Sequence, residues 1–240
     1  MLLSLIIPAY NEEKRIRKTL ELFVRELCPG DKEIIVVLNG CTDNTRSVVE
    51  QAARDFGSEI KIEELAIGGK GLAVVHGFKK ATGDLIGFVD ADGATSPREY
   101  RKLVEAITQG KADGAIASRW LAGSHVVART SFFREVISQA FFIITKLLFW
   151  LPFRDTQCGA KLFRREVAQA VLPKLKVMNM AFDVELLLLT KQAKYRITEV
   201  PTEWIDQSIS ATFGSPLKVI KTSLNMFFSL FKIRFQHLRS

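Results

Sequence analysis

Short apolar runs alternate along this sequence with stretches whose apolar residues recur at helical spacing, and this alternation constrains the fold more than any other feature. Runs of strand length lie at 2–7, 33–38, 60–65, 85–89, 114–118 and 197–201. Helical stretches follow most of these runs, the first from Glu12 and another from Pro97. Short links between alternating strands and helices favour a largely parallel sheet covered by helices. We therefore predict an α/β fold with a mostly parallel central sheet.

Two carboxylates, Asp90 and Asp92, follow the apolar run 85–89 and precede a helix start at Ser96-Pro97. Acids at the carboxyl end of a parallel strand lie where open α/β sheets bind ligands. Their spacing suits one divalent cation, Mg²⁺ or Mn²⁺, held by one or two carboxylates and completed by substrate phosphates and water. An acidic surface turn has the same pattern, so the motif alone leaves both interpretations open.

Other polar segments follow neighbouring strands and should meet Asp90 and Asp92 at the same sheet edge. These segments are 8–12 and 39–43. The glycines around Lys70 lack the spacing of a P-loop. Backbone amides and an ammonium group in front of a helix nevertheless suit a phosphate, which favours a substrate-facing loop over a plain surface loop.

The charge balance indicates an anionic partner. Lys and Arg number 34 against 26 Asp and Glu, giving a formal net charge of +8. Nucleotides, nucleic acids and acidic membrane surfaces all fit this balance. The three cysteines show no metal or disulfide spacing, which favours a reducing compartment. We expect no signal peptide, and no uncharged apolar run approaches the roughly 20 residues that span a bilayer.

The last stretch of the chain is basic and amphipathic, and it has no acidic residue after Asp206. A helix of about 24 residues is predicted from Pro216. Its apolar stripe consists of Leu217, Ile220, Leu224, Phe227, Phe228, Phe231, Phe235 and Leu238. Its cations are Lys218, Lys221, Lys232, Arg234 and Arg239. This composition favours a helix lying in a membrane interface, although a helix docked on the core remains possible. The apolar segment 132–153 leaves the same two alternatives.

The order of several short motifs resembles family 2 glycosyltransferases of the GT-A fold. These motifs are Ile-Ile-Pro-Ala-Tyr-Asn-Glu (6–12), Asn-Gly-Cys-Thr-Asp-Asn-Thr (39–45), Gly-Lys-Gly (69–71), Asp-Ala-Asp-Gly-Ala-Thr (90–95) and Ser-Arg (118–119). The runs 154–163 and 181–187 further resemble the dolichyl-phosphate β-glucosyltransferases, relatives of the dolichyl-phosphate mannose synthases. The chain departs from the family by having Leu38-Asn39 where the second strand usually ends in two aspartates.

The resemblance implies a GT-A, Rossmann-like nucleotide-diphospho-sugar transferase fold and a set of site residues. The nucleotide-sugar site would comprise Pro8, Ala9, Tyr10, Glu12, Asn39, Asp43, Lys70, Asp90, Ala91 and Asp92. Asp90 and Asp92 would hold Mg²⁺ or Mn²⁺. The lipid-phosphate site would comprise Arg119, Arg129, Arg134 and Ser138, and the catalytic residues would be Asp92, Arg119, Arg134 and Asp183. Asp183 has a structural alternative, as a helix-capping residue.

The resemblance implies an inverting, metal-dependent hexosyltransferase that moves one sugar, with glucose from UDP-glucose favoured, to a dolichyl or polyprenyl phosphate. It would lie peripherally on an anionic membrane at the cytoplasmic face. Residues 1–205 would form the catalytic domain, with a nucleotide-sugar half at 1–119 and an acceptor half at 120–205, followed by an interfacial helix within 206–240. Alternatives are a mannose synthase using GDP-mannose, a family 2 transferase with a non-lipid glycan acceptor, and a basic nucleic-acid-binding module. We expect no nucleic-acid partner, because the charge lies beside apolar helices.

Overall fold

The structure, a computed structural model, describes residues 1–27, 32–57, 59–110, 112–127, 132–205 and 216–237, and it describes only the backbone at 132–136 and 216–220. The strands are β1 (Leu3–Ala9), β2 (Lys32–Asn39), β3 (Ile60–Leu65), β4 (Leu85–Val89), β5 (Gly114–Ser118), β6 (His125–Val127), β7 (Ala160–Arg164), β8 (Ile197–Pro201) and β9 (Glu203–Ile205). The helices are α1 (Ile16–Glu26), α2 (Thr45–Phe56), α3 (Lys70–Lys80), α4 (Pro97–Thr108), α5 (Phe132–Phe149), α6 (Arg165–Val171), α7 (Phe182–Gln192) and α8 (Pro216–His237).

Within these residues, seven strands form one central sheet in the order β3-β2-β1-β4-β7-β5-β8. Every neighbouring pair is parallel except the two made by β7, which runs antiparallel to β4 and to β5. The strands β6 and β9 pair separately, in parallel. The predicted α/β fold with a mostly parallel sheet is confirmed. The reversed β7 brings the segment in front of it, 154–159, to the edge where β4 and β5 end.

Helices cover both faces of the sheet, which explains why its strands read as continuous apolar runs. On β1, Leu5 points into one core cluster together with Phe23 of α1. The next residue, Ile6, points into a second cluster with Phe78 of α3. All seven residues of β1 are buried. Because successive side chains of a strand point to opposite faces, each position of such a strand needs an apolar residue or, as at Ser4, a polar residue with a hydrogen-bond partner.

A third cluster joins α5, α7 and α8 beside the sheet. Leu230 and Ile233 of α8 are fully buried in it, and the rings of Phe141 and Phe227 meet with their centroids 5.7 Å apart. The helix predicted from Pro216 is therefore present and is docked on the core along one side.

The end of α8 is tied to the core by a buried polar contact. The Nε2 atom of His237 lies 2.7 Å from Oε1 of Glu185, and both side chains are almost completely buried. The other oxygen of Glu185 accepts from the backbone N–H groups of Lys176 and Val177, at 2.9 and 2.7 Å. Both oxygens of Glu185 are thus hydrogen-bonded, one to α8 and the other to the segment in front of α7. The sequence alone had not indicated this structural role.

Glu33 of β2 is another buried carboxylate with a structural role. It accepts from the hydroxyl of Ser4 at 2.5 Å, from Lys61 at 2.5 Å and from both the N–H and the hydroxyl of Thr82. Burial raises its pKa, but the hydrogen bonds from Lys61, Ser4 and Thr82 outweigh burial and lower the pKa to about 2. Glu33 therefore links β1, β2, β3 and the turn before β4.

Helix starts agree with the sequence where capping chemistry is explicit and differ where it is not. Ser96 accepts from the N–H of Glu99 at 3.3 Å in front of Pro97, as a capping residue should. The first helix was expected from Glu12, but α1 begins at Ile16. The carbonyl of Glu12 accepts from the N–H groups of residues 15 and 16, forming a turn that orients the Glu12 side chain before the helix begins.

Candidate functional site

The loop after β4 carries the two acids predicted to hold a metal, and the fold holds this loop from two sides. The backbone N–H of Asp90 donates to the carbonyl of Gly159 at 2.9 Å. The hydroxyl of Thr19 donates to the carbonyl of Ala91, also at 2.9 Å, and Asp92 accepts from a backbone N–H two residues later. A Cβ on Gly159 would overlap the carboxylate of Asp90. The positions of both acids are therefore determined by packing around the loop.

The carboxylates at this edge influence one another. Burial raises the pKa of Asp92 above its ordinary value of 3.8, and the neighbouring Asp90 raises it further. Burial also raises the pKa of Glu12, while its ion pair with Arg15 at 2.6 Å opposes the change and the charges of Asp92 and Asp90 add to it. Three acids thus lie within electrostatic reach of each other. A cation bound among them would favour their charged forms.

Two further predicted residues, Asn39 and Asp43, are engaged in holding the edge together. The amide of Asn39 donates to the carbonyl of Ala9 at 2.8 Å and accepts from the N–H of Gly69 at 3.0 Å. Asp43 accepts from the N–H and the hydroxyl of Thr45, at 3.0 and 2.5 Å. Burial raises the pKa of Asp43, but these hydrogen bonds outweigh it and lower the pKa. Both side chains shape the site by fixing its loops.

Pro8 and Tyr10 lie at the end of β1, as the sequence predicted. Pro8 is buried within the strand, whereas the ring of Tyr10 is 39% exposed. This ring lies over Gly68, where an added Cβ would be 3.6 Å from the ring. The first strand thus ends in an accessible aromatic surface beside the glycine loop, and the adjacent Ala9 is fully buried.

A row of alternating charges runs inward from the acidic loop. Lys70 Nζ lies 2.7 Å from Oδ1 of Asp90 and 3.9 Å from Oδ2 of Asp183. The other oxygen of Asp183, Oδ1, accepts from Lys161 at 2.6 Å. Both ammonium groups also lie near the ring of Phe88, 5.5 and 5.4 Å from its centroid. Burial alone would lower the pKa of Lys70, but Asp90 and Asp183 raise it, so this lysine is charged.

Arg119 stands at the end of β5 and forms a two-pronged ion pair. Its Nε and Nη2 atoms donate to the two oxygens of Asp155 at 2.7 and 3.0 Å, and its guanidinium lies 5.3 Å from the Trp204 ring. Burial raises the pKa of Asp155, but Arg119 outweighs burial and lowers it. The same acid accepts from the N–H groups of Gln157 and Cys158. Arg119 is therefore held in place while its side chain remains 21% exposed.

The remaining predicted residues are placed less completely. Arg129 lies outside the described residues, and Arg134 lies in α5 where only the backbone is described. Ser138 is exposed on α5. The structure therefore brings together the residues predicted for the nucleotide-sugar site and Asp183, whereas the predicted lipid-phosphate site is described only at Arg119 and Ser138.

Three side chains at this edge were not predicted: Asp155, Lys161 and Arg15. Asp155 and Lys161 belong to the run 154–163, which the sequence marked by resemblance but not by role. Lys161 is completely buried within β7. A lysine inside an otherwise apolar strand signals a buried partner, because an unpaired buried charge is very costly. That signal could have identified Lys161, although not which acid it meets.

The acids of the β4 loop fit a divalent cation that is also bound by substrate. Among the described residues, no group of three or more His, Cys, Asp or Glu side chains could enclose a metal ion. Mg²⁺ typically takes only one or two carboxylates and keeps its remaining positions for phosphates and water. Asp90 and Asp92, close enough for the charge of Asp90 to raise the pKa of Asp92, meet this requirement.

Comparison with known proteins gives relatives along most of the chain. The family model "Glycosyl transferase family 2" matches residues 4–172. A dolichyl-phosphate beta-glucosyltransferase of Drosophila melanogaster is 39% identical over 233 residues, which cover 90% of this chain and 72% of that protein. A protein of the same name from Dictyostelium discoideum is 33% identical and covers 98% and 75%. The human protein of that name is also 33% identical, covering 92% and 74%.

Solved structures show the same fold. Glucosyl-3-phosphoglycerate synthase of Mycobacterium tuberculosis, in complex with Mn²⁺, UDP and glucosyl-3-phosphoglycerate, superposes with a TM-score of 0.72 over 96% of this chain and 79% of that one. A complex of that synthase with Mg²⁺ and UDP gives a TM-score of 0.71 over 96% and 78%. The sequence identities are 18% and 17%, so these two structures show the fold alone.

Proposed function

Because this chain belongs to glycosyl transferase family 2, we propose that it transfers glucose from UDP-glucose to a dolichyl or polyprenyl phosphate, with inversion at the anomeric carbon. Relatives named dolichyl-phosphate beta-glucosyltransferase, matched over most of their length, support this choice of sugar and acceptor. UDP and a divalent cation are bound by the structural neighbours. GDP-mannose is the competing donor, and a non-lipid glycan is the competing acceptor.

The observation that carries the proposal is the arrangement of two carboxylates and two cations at one sheet edge. Asp90 and Asp92 would hold Mg²⁺ or Mn²⁺ on the donor diphosphate. Lys70 at the start of α3 and Arg119 at the end of β5 would supply further positive charge. A leaving diphosphate needs this combination, because negative charge develops on it as its bond to the sugar breaks. Bound metal would stabilise the same charge as a Lewis acid.

Because the proposed acceptor is a phosphate, the site does not need a general base. A phosphate monoester is already anionic near neutral pH, so one of its oxygens can attack the anomeric carbon directly. The new carbon–oxygen bond forms as the bond from that carbon to the diphosphate breaks, and the electron pair leaves with UDP. No proton has to be removed from the nucleophile. Asp183 is therefore not required as a base, and its two oxygens face Lys161 and Lys70 instead.

We assign the remaining residues by their positions. Tyr10 offers a surface for the base, and Glu12 lies beside the acids, where the ribose or the diphosphate would approach. Asn39 and Asp43 hold the loops that form the walls of the site. Arg119 is the described cation of the proposed acceptor-phosphate site. Arg129, Arg134 and Ser138 remain predicted members of that site.

The acceptor is a lipid, and two helices offer apolar surface to a membrane. On α8, the exposed residues Leu224, Phe228, Phe231 and Phe235 recur at intervals of four, three and four. The inward residues Met226, Leu230, Ile233 and His237 recur in the same way, offset by two positions. At 3.6 residues per turn, an offset of two places the stripes on opposite sides of the helix. Thus α8 uses one side for the core and leaves an aromatic side uncovered in the described chain.

Helix α5 and the residue after it also carry exposed apolar side chains. Ile143, Leu147 and Trp150 are exposed at intervals of four and three, and Trp150 is 79% exposed. Exposed lysines accompany both helices, among them Lys146 and Lys232. Aromatic residues bordered by basic charge are typical of helices lying in a membrane interface. Across the described residues, no helix has the length and apolarity to cross a bilayer.

We therefore propose peripheral attachment to the cytoplasmic face of a membrane through α5 and α8. In this arrangement residues 1–119 bind the nucleotide-sugar, residues 120–205 receive the acceptor, and the helix within 206–240 attaches the protein to lipid. Each cation near an anionic surface adds about 1 kcal/mol to binding. The burial of aromatic side chains adds an apolar contribution that salt does not screen.

The proposal is tested by transfer from radiolabelled UDP-glucose, UDP-galactose and GDP-mannose to dolichyl phosphate in detergent and in anionic vesicles. We expect glucosyl transfer with Mg²⁺ or Mn²⁺, loss of transfer in EDTA, and recovery when metal is restored. Asp92→Asn should remove transfer while retaining the circular-dichroism spectrum of the fold. Exposed Lys18→Ala is the matched control and should retain transfer.

The results distinguish the competing functions. Transfer from GDP-mannose but not from UDP-glucose would correct the donor. Transfer only to a soluble acceptor would correct the lipid assignment. Full glucosyl transfer by Asp92→Asn in EDTA would overturn the metal assignment.

A further inference from the structure

Lys70 occupies a position that the proposed metal would also need. Its ammonium group is 2.7 Å from Oδ1 of Asp90, and its side chain is only 11% exposed. Asp90 is one of the two acids assigned to the cation. An ammonium group at hydrogen-bond distance neutralises the charge of the carboxylate and repels a second cation at the same group. Lysine and metal therefore compete for the same carboxylate.

The position of Lys70 is determined by buried groups and not by chance contact. Asp183 attracts it from the other side at 3.9 Å, and Lys161 fixes Asp183 by taking its second oxygen. The start of α3 is also held from outside the helix. The N–H of Leu72 donates to the carbonyl of Met178 at 3.1 Å.

Close packing leaves this end of α3 little freedom to shift. An added Cβ on Gly71 would lie 2.7 Å from the Cβ of Phe182 and 2.9 Å from the carbonyl carbon of Met178. Only a residue without a Cβ allows α3 to approach α7 so closely. The backbone is therefore fixed, and the movable part is the long side chain of Lys70.

We propose that Lys70 is an internal competitor for the metal, which makes binding of the cation and of the nucleotide interdependent. Without nucleotide, Lys70 neutralises Asp90 and weakens binding of the cation. When a nucleoside diphosphate arrives with the cation, its phosphates attract Lys70 away from Asp90, which frees that carboxylate for the metal. Asp183 and Lys161 are the positioning residues that define where Lys70 rests. This inference rests on the proposed function, since it assumes a diphosphate donor and a metal at Asp90.

The mechanism predicts opposite effects of one substitution on two ligands. In Lys70→Met, the affinity for Mn²⁺ alone should increase roughly tenfold or more, within the usual range of coupling between sites. The affinity for UDP in the presence of saturating Mn²⁺ should decrease by a similar factor. A lysine that merely contacts phosphate would change only the second affinity. A lysine needed only for folding would lower both.

Mn²⁺ binding is measured on the full chain by electron paramagnetic resonance of the free ion and by calorimetry, without nucleotide. Lys80→Met is the matched control, because it removes one positive charge from the same helix. Lys80 lies outside the site, where it pairs with Glu63 at 3.4 Å. We expect its Mn²⁺ affinity to equal that of the unchanged chain. Lys70→Gln is a second variant that keeps a polar side chain in case methionine impairs folding, and it should show the same pair of effects.

The inference is overturned if the unchanged chain and the folded Lys70 variants bind Mn²⁺ with equal affinity. It is also overturned if none of them binds Mn²⁺ detectably. Equal increases in Lys70→Met and Lys80→Met overturn it too, because overall charge would then be responsible. Glucosyl transfer by the unchanged chain is measured in parallel. Transfer without the Mn²⁺ effect refutes only the competitor role, whereas the Mn²⁺ effect without transfer to any acceptor refutes only the proposed reaction.

Discussion

Replacing Lys161 by methionine should be among the most destabilising single changes in the described core, because it removes one partner of a buried ion pair. Lys161 is fully buried, and its 2.6 Å contact with Asp183 is accompanied by a 2.7 Å hydrogen bond to the carbonyl of Cys158. Removing one partner of such a pair costs about 3–5 kcal/mol, since the other charge stays buried. The free energy of unfolding of a domain is only about 5–15 kcal/mol.

The double variant Lys161→Met/Asp183→Asn separates the loss of an interaction from the loss of packing. With both charges removed, no uncompensated ion remains between the two positions. The double variant should therefore recover much of the loss caused by Lys161→Met, and the interaction energy in the cycle should amount to a few kcal/mol. In the single variant Lys161→Met, Lys70 still lies 3.9 Å from Asp183 and partly neutralises its charge. The loss of stability should therefore lie toward the lower end of the range of about 3–5 kcal/mol.

The assay is urea unfolding followed by circular dichroism and tryptophan fluorescence, with the free energy extrapolated to water. Arg25→Met is the control, because Arg25 pairs with Glu21 at 2.7 Å on the exposed side of α1 and should contribute no more than about 0.5 kcal/mol. A loss below about 1 kcal/mol for Lys161→Met, the scale of a surface pair, would refute the reasoning. Additive effects in the double variant would refute it as well.

Three further outcomes follow from the site and its surroundings. Arg119→Ala should lower kcat/KM for glucosyl transfer by a factor equivalent to roughly 2–4 kcal/mol, whereas Lys18→Ala should not, and equal values for both would show that the Arg119 charge is not used. Phe228→Ser with Phe235→Ser should reduce co-sedimentation with anionic vesicles and leave calorimetric binding of Mn²⁺ with UDP unchanged, while unchanged sedimentation would place the membrane contact elsewhere. Glu33 has a folded pKa of about 2, below its ordinary 4.5, so its contribution to stability is complete above pH 4.5 and is lost as the pH falls toward 2. Glu33→Gln should flatten that part of the pH–stability curve, and an unchanged slope would contradict the pKa.

The docking of α8 changes how membrane attachment has to be tested. A simple test of attachment through α8 would remove everything after Ser215. Such a truncation would expose the pocket filled by Leu230 and Ile233 and would deprive Glu185 of a hydrogen-bond partner. Any loss of donor binding could then come from unfolding. Substitutions on the exposed side of α8 avoid this difficulty.

The elements of this fold could be predicted from sequence wherever local chemistry determines them. The apolar run 85–89, the acids that follow it and the Ser96-Pro97 cap predicted β4, its loop and α4 with the correct bounds. The loop of Asp90 and Asp92 could be placed at the site because the carboxyl ends of parallel strands share one edge.

The reversed strand β7 could not be predicted in this way. Its five residues include Lys161 and Arg164, so the segment is not an apolar run of strand length, and such a run would not indicate the direction of a strand in any case. Because β7 is antiparallel, the residues in front of it reach the site edge, which is why Asp155 was missed. The pairing of Lys161 with Asp183 could not be predicted, because the two residues are distant in sequence. Reasoning from strand ends finds only the loops that follow parallel strands.

The two faces of α8 illustrate a second limit. Its composition predicted contact with lipid, and the alternative of docking on the core was left open. A helix with apolar residues on two opposite sides is compatible with both, since each side can have a different neighbour. Sequence alone does not reveal that Glu185 lies within reach of His237, because that contact depends on how α7 and α8 cross.

The contact between Glu185 and His237 also bears on the order in which the protein can be completed during synthesis. Glu185 lies in α7, and its partner is made only after 51 further residues have been added. Until then, a nascent chain that has folded through α7 has a carboxylate oxygen with no imidazole to meet it. Without α8 the apolar side chains that Leu230 and Ile233 cover are also exposed to water, so partial chains should open readily around α7. A chain interrupted before His237 should thus be cleaved by proteases around α7 more readily than a chain in which α8 is complete.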